Sequence, residues 1–136
     1  MEKKIRVVTA KIGLDDHFRG IIAISDALRN AGMEVVYLGA GQRIDAVVNT
    51  VAQENADVIG LSFLCGGQVK IITRFMARLR EMDLDNLLVI IGGIIHPHEV
   101  PQLKEMGVAE VFLPGTNSED VVDFVFQEVQ KRRELE

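Results

Sequence analysis

The stretch "DVIGLSFL" at residues 57–64 shows the feature that decides the fold. After its first residue it is almost entirely apolar or small, without the alternation that marks a half-exposed strand. That pattern is typical of a strand buried on both faces of a parallel sheet. Four other short runs share this character, at residues 5–10, 34–39, 87–93 and 110–115. The sequence therefore predicts five buried strands.

The segments between and after these runs have the periodicity of amphipathic helices. Apolar residues recur in them at steps of three and four, which places them on one helical face. The stripes include Ile21, Ile24 and Leu28, then Ile44, Val47, Val48 and Val51, then Val69, Ile72, Met76 and Leu79, then Val100, Leu103 and Met106, and finally Val122, Val125 and Val129. Gly32 and Gly107 are the predicted C-terminal caps of the first and fourth helices.

Strands that alternate with helices predict a doubly wound α/β fold, since each parallel crossover carries a helix over one face of the sheet. We expect a single five-stranded parallel sheet in the order 2-1-3-4-5, with helices on both faces. A chain of 136 residues is long enough to bury roughly two thirds of its unfolded surface in one core. Residues 1–136 are therefore predicted to form one domain.

Composition and charge exclude several classes of function. The formal charge of −5 argues against nucleic acid as a partner, because duplex binding needs a basic face. No apolar stretch approaches the roughly 20 residues that span a bilayer, so no membrane association is expected. The amino terminus lacks a signal-peptide core, which predicts a cytoplasmic protein. A single cysteine, Cys65, excludes an internal disulfide.

Candidate functional residues lie in the loops that follow the predicted strands. In doubly wound sheets, ligands bind beyond the carboxyl ends of the strands, near the point where the strand order reverses. The loops after strands 1, 3, 4 and 5 carry, in turn, Lys11, Asp15, His17 and Gly20; Ser62, Leu64, Gly66 and Gly67; Gly92 and Gly93; and Pro114, Gly115 and Thr116. Glycines in three of these loops suggest a backbone that lets a bulky ligand approach.

The stretch "GLDDHFRG" at residues 13–20 has two local interpretations. Asp15 or Asp16 could cap the first helix, with His17 exposed in its first turn. Alternatively, a carboxylate two residues from a histidine can accept its second ring N–H and orient it as a metal ligand.

Other residues with chemical potential have a simpler interpretation. His96 and His98 are expected at the surface of a loop, Cys65 as a small packing residue, and Phe75 and Met76 in the core. No phosphate-binding loop or dinucleotide fingerprint is present. Ser62 stands where a phospho-accepting receiver of this fold would carry an aspartate.

Three motifs in register carry a resemblance to a known family. They are D-x-H-x-x-G at Asp15, His17 and Gly20, S-x-L at Ser62 and Leu64, and the pair Gly92 and Gly93. With "TAK" at 9–11 and "PGT" at 114–116, the chain resembles the cobalamin-binding domain of the carbon-skeleton mutases from about residue 5 to residue 125. The resemblance is strongest to the methylmalonyl-CoA mutase type, including the separate small subunits of acyl-CoA mutases.

The resemblance implies a role for each of these residues. His17 would be the lower axial ligand of cobalt, Asp15 would bond its distal ring nitrogen, and Lys11 would hold Asp15. The displaced dimethylbenzimidazole tail of the cofactor would lie between strands 1 and 3, with Gly20 leaving room for it. The remaining residues of this implied set are Ser62, Leu64, Gly92, Gly93, Gly115 and Thr116. Asp16, Phe18 and the stretch "GAGQRID" after strand 2 depart from the family's usual pattern.

The implied function is that of a small subunit of an adenosylcobalamin-dependent acyl-CoA mutase. No residue of this chain alone would be catalytic, because the resemblance places the acyl-CoA site in a large barrel subunit. Two alternatives remain at this point. One is a corrinoid methyl carrier, which usually has a helical domain ahead of this fold. The other is a cofactor-free, flavodoxin-like signalling or interaction module.

Overall fold

A computed structural model describes residues 3–13, 19–64 and 66–135. The strands of its sheet are β1 (Arg6–Ala10), β2 (Glu34–Tyr37), β3 (Val58–Phe63), β4 (Leu88–Gly93) and β5 (Glu110–Phe112). The helices are α1 (Arg19–Asn30), α2 (Ile44–Glu54), α3 (Gln68–Glu81), α4 (Val100–Glu105) and α5 (Ser118–Glu134). A 3-10 turn, Pro97–Glu99, leads directly into α4.

The sheet has the strand order β2-β1-β3-β4-β5, and every neighbouring pair is parallel. This confirms the predicted order 2-1-3-4-5. Because the chain runs from β1 outward to β2 and then back across β1 to β3, the order reverses between β1 and β3. That reversal opens a crevice at the carboxyl ends of these two strands.

Two hydrophobic cores cover the two faces of the sheet. One contains the buried faces of α2, α3 and α4, and the other those of α1 and α5. Alternate residues of β1 divide between them, since Val8 belongs to the first core and Val7 to the second. Phe75 and Met76 are buried in the first, as predicted.

The edge strands differ from the prediction. The runs at 34–39 and 110–115 were expected to be buried on both faces like the others. In β2, Glu34 is exposed and the residues from 35 to 37 are only half-buried, and β5 has one buried residue among three. Both strands lie at the edges of the sheet, where only one neighbour covers them. Valine-rich composition alone does not distinguish these edge strands from central ones.

Glycines end the two helices for which they were predicted. Gly32 follows α1 with φ of 95°, and Gly107 follows α4 with φ of 114°. L-amino acids with a side chain rarely adopt this left-handed conformation. In the part of the chain that the structure describes, no helix is both long and apolar enough to cross a membrane.

Candidate functional site

A cavity of about 440 Å³ opens at the carboxyl ends of the strands, on the side of the sheet that α1 and α5 cover. Its walls are mostly apolar, and its size lies within the range of small-molecule sites. It brings together seven of the residues predicted from the sequence: Gly20, Ser62, Leu64, Gly92, Gly93, Gly115 and Thr116. Segments separated by almost a hundred residues in sequence therefore form one site.

The predicted residues Asp15 and His17 lie outside the described residues, as do the neighbouring Asp16 and Phe18. The chain is described up to Gly13 and again from Arg19, at the start of α1. Gly20, two residues after the undescribed segment, lines the cavity. The roles of Asp15 and His17 remain predictions.

Lys11 lies directly after β1 and is completely buried. Its Nζ donates to the carbonyl oxygen of Ser62 at 3.1 Å and lies 3.4 Å from the Ser62 hydroxyl. Its backbone pairs with the loop after β2, since Lys11 N donates to Gly39 O and Lys11 O accepts from Gln42 N. A buried ammonium group requires such partners. Lys11 therefore ties the ends of β1 and β3 together on either side of the crevice.

Gly20 is the second residue of α1 and lines the cavity. Apart from its chain neighbours and its own helix backbone, no described residue would lie within 4 Å of a Cβ atom built on Gly20. The described residues around Gly20 therefore do not exclude a side chain at this position. A side chain here would instead occupy space at the cavity wall.

Gly92 and Gly93 end β4, and the packing of the sheet itself explains why both are glycines. Gly93 has φ of 113°, and a Cβ there would overlap with the carbonyl oxygen of Phe63. A Cβ on Gly92 would lie 3.3 Å from the carbonyl oxygen of Phe112. The prediction was that these glycines admit a bulky ligand. The structure gives a second reason, which is close contact with the adjacent strands β3 and β5.

The turn after β5 forms the rim of the cavity. The Thr116 hydroxyl and backbone N–H both donate to the carbonyl oxygen of Leu113, at 2.6 and 3.2 Å. Gly115 adopts φ of 92°, the left-handed conformation that this tight turn requires. Asn117 then leads into α5, so the turn holds the first turn of α5 beside the cavity.

Several lining residues were not predicted from the sequence. Thr9 lies in β1 and is buried, and its hydroxyl is 2.8 Å from that of Ser25 in α1. Phe112 contacts Phe124 in an edge-to-face arrangement, with ring centroids 5.7 Å apart. Thr9 and Phe112 both line the cavity. Thr9 is a lone hydroxyl residue within an apolar run, which is only a weak indication of a binding site in the sequence.

The other candidates of the sequence do not belong to the cavity. His96 and His98 are exposed, as expected, with ring centroids 4.7 Å apart. Cys65 lies outside the described residues. Within residues 3–13, 19–64 and 66–135, no group of three or more potential metal-ligating side chains was found.

Fold and site together define a doubly wound ligand-binding domain. Its mostly apolar cavity, called the slot below, lies next to β1 and β3, where the strand order reverses. The family model described as "B12 binding domain" matches residues 5–123. The chain belongs to this B12-binding domain family. The match includes every residue that lines the cavity.

Two relatives match the chain over nearly its whole length. It is 39% identical to the 2-hydroxyisobutanoyl-CoA mutase small subunit of Aquincola tertiaricarbonis, over 89% of each chain. It is 40% identical to the pivalyl-CoA mutase small subunit of Xanthobacter autotrophicus Py2, over 96% of this chain and 88% of that one. Over almost its full length, the chain therefore corresponds to small subunits of CoA mutases.

A solved structure supports the same family. A cobalamin-binding protein from Desulfitobacterium hafniense DCB-2 is 25% identical, with a TM-score of 0.80. The match covers 92% of this chain and 59% of that protein. The shared part contains the doubly wound sheet, which confirms the predicted fold class.

The described residues fit the nucleotide tail of a cobalamin. The cavity offers a mostly apolar slot with hydroxyl groups at Ser62 and Thr116 and open space at Gly20. An aromatic base with a polar sugar needs apolar walls and a few polar groups at the rim.

Proposed function

We propose that this chain is the cobalamin-binding small subunit of an adenosylcobalamin-dependent acyl-CoA mutase. The observation that carries the proposal is the cavity beside β1 and β3, which brings residues of three family motifs into one slot. The two small-subunit relatives support the mutase class, because the chain matches them over almost their full length.

In this proposal the slot receives the displaced dimethylbenzimidazole tail of the cofactor. Leu64 and Ile24 supply apolar surface, and Gly20 leaves the entrance open. Gly92 and Gly93 let the carboxyl ends of β3, β4 and β5 pack closely, so that their backbones form a rigid wall. Binding in a slot formed in advance avoids much of the entropic cost of ordering the site.

In this proposal His17 would hold the cobalt of the cofactor through one ring nitrogen, and Asp15 would accept the N–H of the other. A carboxylate in that position fixes the tautomer and raises the basicity of the ligating nitrogen. Lys11 is well placed to support the segment that carries His17 and Asp15. It lies a few residues before that segment, is completely buried and donates a hydrogen bond to Ser62 across the crevice. The described residues thus provide a rigid base for the segment at 14–18.

When bound, the cofactor supplies homolytic cleavage of its cobalt–carbon bond. The part of this chain is to bind the tail, orient the ligating histidine and present the upper face of the corrin. We propose that a separate large subunit with a substrate-binding barrel covers that face and excludes water. In this arrangement the small subunit is inactive alone.

The test is the electron paramagnetic resonance spectrum of cob(II)alamin bound to the chain, labelled with nitrogen-15 in histidine. We expect splitting of the cobalt signal by one labelled nitrogen, since a single histidine would ligate the metal. His17→Ala should abolish this splitting. The chain offers matched controls in the exposed His96 and His98, and their replacement by alanine should leave the splitting unchanged.

Two outcomes would contradict parts of the proposal. Retention of the labelled splitting in His17→Ala would refute the ligand assignment. Splitting by the cofactor's own base, both in the chain alone and together with the large subunit, would refute binding through a histidine. Failure to bind any corrinoid under either condition would refute the proposed function itself.

A further inference from the structure

A second groove, of about 650 Å³, lies on the opposite face of the sheet, between the start of α2 and α3. Its apolar residues are Ile12, Ile44 and Ile71. Gly13 also lines it and immediately precedes the segment that carries Asp15 and His17. The groove therefore begins at the same edge of the sheet as the cofactor cavity and leads away from it.

Three arginines line this groove, and among the described residues one of them, Arg78, has carboxylate partners. Arg78 forms ion pairs with Asp45 at 3.1 Å and Glu81 at 2.9 Å. Arg43 and Arg74 are exposed, and within the described part of the chain neither guanidinium group has a hydrogen-bond or ion-pair partner. Two guanidinium groups that have no partner among residues 3–13, 19–64 and 66–135 thus flank an apolar floor.

This positive charge contrasts with the rest of the chain, whose formal net charge is −5. The N-terminus of α2 follows Arg43 without a side-chain cap, and Asp45 in its first turn is paired with Arg78. A helix N-terminus carries a partial positive charge, which adds to that of Arg43. Paired arginines can serve a structural role. Unpaired ones beside an apolar groove instead favour a partner with carboxylates.

We infer that this groove binds a carboxylate-bearing segment of the large mutase subunit. The carboxylates of that segment would pair with Arg43 and Arg74, and one of its apolar side chains would pack against the three isoleucines of the groove. The inference rests on the function proposed above. The groove adjoins the edge where that subunit would cover the cofactor. Docking there would hold the two subunits together on the side of the sheet away from the tail slot.

The length of the groove favours a polypeptide over a small anion. Its α3 wall extends from Ile71 to Glu81, and ten residues of helix rise about 15 Å. A phosphate or a free carboxylate would occupy only the end near Arg43. The apolar floor would then remain uncovered. A peptide segment with alternating acidic and apolar side chains would cover the whole surface.

The test measures assembly of this chain with the large mutase subunit of the same organism, by isothermal titration calorimetry in the presence of cobalamin. Arg43→Glu and Arg74→Glu should each weaken assembly by about tenfold or more, because a favourable contact becomes a like-charge one. The variants should also show a weaker dependence on salt between 50 and 300 mM NaCl, since fewer ion pairs remain to be screened. Arg43→Lys and Arg74→Lys should retain most of the affinity.

Arg80→Glu is the matched control, because Arg80 is exposed on the same helix but outside the groove. It should assemble like the wild type, and all variants should bind cobalamin with unchanged spectra. Assembly of Arg43→Glu and Arg74→Glu within twofold of the wild type would overturn the inference, as would an equal loss in Arg80→Glu. Loss of pyrophosphate binding in these variants with normal assembly would also overturn it, and would identify a small-anion site.

The experiment separates failure of this inference from failure of the proposed function. If the wild-type chain assembles and the arginine variants do too, only the docking site is wrong. If the wild-type chain neither binds cobalamin nor assembles, both the function and the docking site are refuted.

Discussion

Gly20 and Gly93 line the same cavity but have different surroundings. At Gly93, a Cβ atom would overlap with the Phe63 carbonyl oxygen, so the protein itself excludes a side chain. At Gly20, a Cβ atom would enter open space at the cavity wall. Substitution of Gly20 therefore separates ligand binding from folding.

Gly20→Leu should weaken cobalamin binding without destabilising the protein. The leucine side chain would occupy the slot, and overpacking of this kind costs about 1–3 kcal/mol, on the order of tenfold to a hundredfold in Kd. Because leucine is the better helix former, the free energy of unfolding should rise slightly. Spectral titration with cobalamin and urea unfolding measure the two effects.

Asn30→Leu supplies the control for Gly20→Leu, since Asn30 is exposed at the far end of the same helix. Its cobalamin affinity should equal that of the wild type. If Gly20→Leu binds as tightly as this control, the slot is not the site of the tail.

At the scale of elements, β4 depends on close contact with its two neighbours. Gly93 pairs in register with Phe63 of β3, and Gly92 with Phe112 of β5. The steric demand is severe at Gly93 and moderate at Gly92, where the hypothetical Cβ lies 3.3 Å from an oxygen. This difference predicts a graded loss of stability.

Gly93→Ala should destabilise the fold more than Gly92→Ala does. The first substitution combines steric overlap with a left-handed φ, so a loss of about 2 kcal/mol or more is expected. The second requires a shift of only a few tenths of an ångström and should cost less. Urea unfolding of both variants without cofactor measures the difference. Equal stabilities would show that β4 adjusts freely, contrary to this account.

At the scale of the whole molecule, ion pairs at the periphery join one element of the fold to another. Arg6 of β1 contacts Glu34 of β2 at 2.7 Å, and Lys104 of α4 contacts Glu110 of β5 at 2.9 Å. The hydrogen bond and attraction from Arg6 lower the pKa of Glu34. For Glu110, burial alone would raise the pKa, but the bonds from Lys104 and from the Val111 amide outweigh it and the pKa is lowered.

These lowered pKa values predict loss of stability in acid. A carboxylate whose folded pKa lies below its unfolded value, here 4.5, contributes stability that is present above that value. This contribution is lost as pH falls through the folded pKa. The free energy of unfolding should therefore decrease progressively below about pH 5.

The double variant Glu34→Gln/Glu110→Gln should be less stable than the wild type at pH 7 and should lose less stability on acidification. Urea unfolding between pH 3.5 and 7 measures both effects. Glu105→Gln is the control, since Glu105 is exposed and has no ion pair among the described residues. If the control and the double variant respond identically to pH, these two ion pairs do not contribute to acid stability.

The sequence by itself determined the order of strands and helices, the two glycine caps and seven of the residues that line the cavity. These features depend on local patterns, because buried strands are continuously apolar and helices repeat every 3.6 residues. Seven predicted residues line the cavity because parallel strands all end at the same edge of the sheet. The roles of Asp15 and His17 stay predictions, since both lie outside the described residues.

Only the tertiary structure decided which distant groups meet. The bond from buried Lys11 to Ser62 spans 51 positions, and the lining role of Phe112 depends on how β5 packs beside β4. The half-exposed edge strands and the groove with Arg43 and Arg74 also follow from the packing of separate elements. Such contacts join segments far apart in the chain. Their local sequence pattern carries no information about the partner, so they emerge only when the sheet is assembled.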